Sequence, residues 1–107
     1  MSNELLAVST AFDDIDAQIK FAAEVTEIVE QLKQMLIAKN RKYGDAALNP
    51  SRTFATSSAA ELINVRIDDK LSRIKNRQTD DDEDPEWDLM GYLVLKRIAV
   101  KREKGSK

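Results

Sequence analysis

The chain has 107 residues, 42% hydrophobic and 34% charged, with a net charge of −2. That suits one soluble, charge-rich domain with a core of Ile, Leu, Val and Ala, since aromatics make up only 6%. The absence of Cys and His excludes disulfides, thiolate nucleophiles, Ser-His triads and zinc sites, so any metal would be a hard cation held by carboxylates.

Residues 1–10 are expected to form a flexible N-terminal arm, followed by a single all-α domain over 11–102 and a flexible basic tail over 103–107. Ser9-Thr10 is a candidate cap for a short helix carrying Phe12, Ile15 and Ile19. Over about 13–42, Ile15, Ala22, Val25, Val29, Leu32 and Leu36 recur at helical spacing, with Ile28 and Met35 beside them. Gly44 is a natural left-handed stop, and Lys39, Arg41 and Lys42 suit the negative end of the helix dipole. An irregular loop over 43–57 follows, with Asn49-Pro50 as a turn and Leu48 and Phe54 as plugs onto the core.

Ser58 and Glu61 have the spacing of a capping box and open a second helix, about 58–77. Its apolar stripe is Ile63, Ile67, Leu71 and Ile74. Arg66, Asp69 and Arg73 border that stripe, with Lys70 between them and the apolar residues. Residues 79–84 form an acidic loop. Asp84 as N-cap and Pro85 as first helical residue open a third helix, about 85–102. It is apolar on two sides, with Trp87, Met90, Val94 and Ile98 on one and Leu89, Leu93 and Val100 on the other. A helix apolar on two sides is central or shared with another subunit. The fold expected is therefore all-α: a compact bundle of three main helices, associated as a homodimer or higher oligomer. No apolar run reaches the roughly 18 residues of a membrane span, so no membrane partner is expected.

Four constellations bear on chemistry. The border cluster Arg66/Asp69/Lys70/Arg73 is either an ion-pair lattice or a grip for phosphate oxygens. Asp69 and Asp88 flank their stripes on consecutive helices. They would either share Mg²⁺, the one cofactor this reading allows, or pair with arginine, Asp88 with Arg66 or Arg73. Glu24, Glu27 and Glu30 read as a solvated face, with Glu27 and Glu30 nearly opposite the apolar stripe. Lys42-Tyr43-Gly44-Asp45 is a helix stop in which Tyr43 could stack on a base and Asp45 accept a hydrogen bond from one.

In order, Lys42-Tyr43-Gly44-Asp45, then Arg66-x-x-Asp69-Lys70-x-x-Arg73-Ile74, then Asp88-Leu89-x-Gly91-Tyr92 resemble the nucleotide modification associated domain of bacteriophages and prophages. That family looks like a relative of the MazG-like all-α nucleotide pyrophosphatases. The resemblance covers roughly residues 39–98. It implies an all-α fold, a phage or prophage origin and a link to nucleotide metabolism or nucleic-acid modification; the expected place in the cytoplasm (the host's, if phage-encoded) rests instead on the lack of a basic n-region at Met1-Ser2-Asn3-Glu4 and of a membrane-length apolar run. It leads to three expectations. The first is binding of a nucleotide or phosphate ligand in a polar seam between helices two and three. There Arg66, Lys70 and Arg73 would hold phosphate, and Tyr43 and Asp45 the base or sugar. The second is a Mg-dependent nucleoside triphosphate pyrophosphohydrolase with Asp69 and Asp88 on the metal. The third is a counter-defence protein that binds a host protein or sequesters a nucleotide messenger.

Overall fold

A computed structural model describes residues 3–50, 56–77 and 84–105. The expected plug Phe54 and the acidic residues Asp80 to Glu83 lie outside them. The described chain is all-helical, with three helices and no strand: α1 (Asn3–Tyr43), α2 (Ala59–Lys75) and α3 (Pro85–Gly105). It divides into two units, residues 1–33 and residues 34–107. The second holds the last turns of α1 together with α2 and α3. No described helix is long and apolar enough to cross a membrane.

The helix ends follow local chemistry. At the end of α1, Gly44 takes φ +62°, and the Asp45 N–H donates to the Asn40 carbonyl at 3.2 Å. That bond over five residues is the longer bond of a Schellman motif. Asp45 is also left-handed, at φ +63°, and short turns carry the chain on to Leu48, which packs against the core. Ser58 caps α2, its hydroxyl accepting from the Glu61 N–H at 3.1 Å. The return half of the expected box is replaced: the Glu61 carboxylate accepts from Asn64 at 3.2 Å. Ser58→Ala should cost about 1 kcal/mol, read as a lower denaturant midpoint at unchanged slope. Asp84 caps α3 by accepting from the Trp87 N–H at 3.0 Å, and Pro85 is the first helical residue.

The outer boundaries differ from expectation. The expected arm is helical from Asn3, and α3 runs on to Gly105. Ser9-Thr10 does not open a helix, because the Thr10 hydroxyl donates to the Leu6 carbonyl at 2.9 Å, the back-bond of a threonine inside one.

The packed faces are also rotated from those expected. The core of the second unit is Ala59, Ile63, Ile67 and Ala99, with Leu48, Ala60, Leu89, Tyr92 and Leu95 against it. On α2 the buried row ends in Lys70, whereas Leu71 is 49% exposed. On α3 the buried positions are Pro85, Gly91 and Ala99, and both expected stripes are split, with Trp87, Leu89, Ile98 and Val100 half-buried and Met90, Leu93 and Val94 exposed. Small residues explain the rotation. A Cβ at Gly91 would lie 3.1 Å from the Met35 methyl and 3.2 Å from a Leu36 methyl, so two α1 side chains rest on the α3 backbone there. Side chains seated on a glycine bury that face of the helix and turn its larger residues away.

Candidate functional site

Within the second unit, the end of α1, the following loop, α2 and α3 enclose an open pocket of about 920 Å³. Met35, Leu36, Leu62, Ile63 and Leu95 give it apolar walls, and Ala46, Ala47 and Pro50 close the loop side. Lys39, Asn40, Tyr43, Arg66, Lys70, Asp88 and Tyr92 supply its polar groups. Their charges are three cations against one carboxylate. Ligand pockets typically span about 300–1,000 Å³ and combine apolar walls with a few convergent polar groups.

Asp88 organises the polar side. One carboxylate oxygen lies 3.2 Å from Lys39 Nζ and the other 3.3 Å from Lys70 Nζ. Lys70 is buried, at 8% exposure, and an ammonium in such a place requires a charged partner. Lys39 reaches the same carboxylate from α1, its side chain half exposed. Arg66 is exposed, lines the pocket and makes no ion pair among the described residues. Tyr43 is 60% exposed at the rim, and Lys42 Nζ sits 5.5 Å from its ring centre, a cation–π distance.

The pocket gathers Tyr43, Arg66, Lys70 and Asp88 among the residues expected from sequence, and leaves three outside its lining. Asp69 and Arg73 face each other at 3.3 Å in an ion pair within α2. Asp45 pairs with Arg102 at 3.5 Å, which commits a carboxylate expected to meet a base. The expected pairing of Asp88 with an arginine is replaced by one with two lysines. Lys39, Asn40 and Tyr92 were not assigned to a site from sequence. For Lys39 and Asn40 the available signal was spacing, since both lie within one turn of Tyr43.

The carboxylates do not fit a magnesium site. Mg²⁺ needs hard, anionic oxygens, and Asp88 already carries an ammonium on each oxygen while Asp69 carries the Arg73 guanidinium. Among the described residues, no three acidic side chains cluster as a metal set.

No protein-family model, curated protein or solved structure matches the chain.

Proposed function

We propose that the pocket binds a nucleotide or a related phosphate-bearing ligand, and that the chain acts by holding that ligand. The observation that carries this reading is the meeting of Lys39, Lys70 and Arg66 with the Tyr43 ring on one pocket of ligand size. Arg66 is the group best placed to grip phosphate, because its planar fork matches two phosphate oxygens and has no competing carboxylate among the described residues. Lys70 and Lys39 add positive charge, and Asp88 holds them in place. Tyr43, with Tyr92 and the apolar walls, offers ring surface for a base. A link to phage nucleotide metabolism or nucleic-acid modification belongs to the same proposal and rests on the motif resemblance.

The test is a thermal-shift and calorimetric panel of nucleoside mono-, di- and triphosphates and pyrophosphate, with Mg²⁺ or EDTA present. At least one ligand should stabilise the chain under both conditions. Arg66→Ala should weaken that ligand roughly 10–150-fold, the loss of one charge-assisted contact, and leave the melting temperature without ligand unchanged. No response to any phosphate compound would remove the reading. Mg-dependent release of pyrophosphate, abolished by Asp88→Asn, would make the chain a pyrophosphohydrolase instead. Specific capture of a host protein by a chain blind to nucleotides would favour the counter-defence reading.

A further inference from the structure

The first unit has a surface that the pocket does not use. From Leu5 to Val29, α1 carries side chains at alternating steps of three and four: Leu5, Val8, Phe12, Ile15, Ile19, Ala22, Thr26 and Val29. That is the a/d pattern of a coiled coil, kept in strict register over more than three heptads. A helix packed against a globular core would follow the 3.6-residue stripe, which drifts from this register by about 20° per heptad. The six large members, Leu5, Val8, Phe12, Ile15, Ile19 and Val29, are between 51% and 63% exposed.

We infer that residues 5–29 of α1 pair with the same segment of a second copy of this chain, as a parallel two-stranded coiled coil. Three observations select that occupant.

The first is charge. Asp13, Lys20 and Glu27 fall at b, Asp14 at c and Glu24 at f, all away from the seam. In the parallel arrangement each g residue meets an e residue of the second copy. Ala11 meets Asp16, Gln18 meets Ala23 and Val25 meets Glu30, so like charges never face each other. In the fully overlapped antiparallel arrangement Asp16 would face Asp16 of the second copy.

The second is the polar seam residue. Thr26 donates its hydroxyl to the Ala22 carbonyl at 2.8 Å, so it enters a dry seam with its donor satisfied and its methyl available for packing.

The third is area. Six large side chains, each worth roughly 60–120 Å² when fully buried and slightly more than half exposed, offer roughly 200–400 Å² per copy, to which Ala11, Ala23 and Val25 on the flanks add. A stable interface takes about 800 Å² from each partner, so the apolar seam supplies roughly a quarter to a half of one. The seam lies on α1, whereas the sequence pattern points to the second stripe of α3 for self-association.

Sedimentation equilibrium of the full chain should give a dimer, and Ile15→Glu should weaken it about a hundredfold or more, because each pair would bury two carboxylates side by side. Circular dichroism of the same variant checks that α2 and α3 remain folded. A second measurement does not depend on that variant. The chain has no cysteine, so Val8→Cys reports one contact alone. It should form a disulfide-linked dimer under mild oxidation, and Asp13→Cys, one position round the outer face, should not. A monomeric wild-type chain, a dimer indifferent to Ile15→Glu, or equal cross-linking at the two positions would overturn the inference. A dimer whose Val8→Cys form fails to cross-link would overturn the parallel arrangement.

Discussion

Asp88→Asn is expected to lower the stability of the chain by about 1–3 kcal/mol, because it removes the carboxylate that faces the buried Lys70 ammonium. The side chains of both partners are largely out of solvent, at 10% for Lys70 and 17% for Asp88. Their attraction is therefore little screened, and losing it is costly. Lys39, on the same carboxylate, is half exposed and can return to water at little cost. Urea unfolding read by circular dichroism measures the loss, as a lower midpoint at unchanged slope. Lys70→Met in the Asp88→Asn background should recover part of it, since no ammonium is then held in that buried place. A loss below about 0.5 kcal/mol for Asp88→Asn would show that the pair is not a structural element. Because Lys39 and Lys70 both line the pocket, the same variant should also loosen phosphate binding.

Ile63→Ala should cost about 3 kcal/mol, in the usual range for removing most of a buried aliphatic side chain. Ile63 is 2% exposed, the most buried large side chain of the core formed by Ala59, Ile63, Ile67 and Ala99. In a chain of this size the melting temperature should fall by roughly 10 °C or more. The informative comparison is Leu71→Ala. A helical wheel weighted by side-chain size puts Ile63 and Leu71 on the same stripe, yet Leu71 is 49% exposed. Its truncation should cost less than half as much. Equal losses would mean that α2 buries the Leu71 side and not the Lys70 side.

The contrast between those two residues marks what the sequence makes legible. The inner helix ends were readable because each depends on a few neighbouring residues: Gly44 as a left-handed stop, Ser58 and Asp84 as caps, and Pro85 as a first residue. The start of α1 was not, because Ser9-Thr10 has cap chemistry and only the bond from Thr10 to Leu6 places it inside the helix. The faces were half readable. Ala59, Gly91 and Ala99 carry no weight on a wheel, yet the two alanines sit in the core and Gly91 seats two α1 side chains, so they decide which side turns in. The site follows the same division. Tyr43, Arg66, Lys70 and Asp88 come together because flank positions on α2 and α3 do converge. Asp69 and Arg73 border the same stripe and pair with each other, as the ion-pair alternative at that i,i+4 spacing has it, whereas Asp45, read beside Tyr43, meets Arg102, a partner fixed by long-range packing. Lys39 went unassigned because a base near the end of a helix already has an explanation in the helix dipole.

Ile63 belongs both to the core and to the wall of the pocket, and this has a consequence for the protein's lifetime. A ligand held against that wall by the folded chain alone stabilises the whole second unit by mass action, by about 2.7 kcal/mol at a hundred times its dissociation constant. Proteases sample the opened chain in proportion to its population. On the proposed reading, the amount of this protein in a cell would therefore follow the supply of its ligand without any change in synthesis: scarcity shortens its half-life and abundance preserves it.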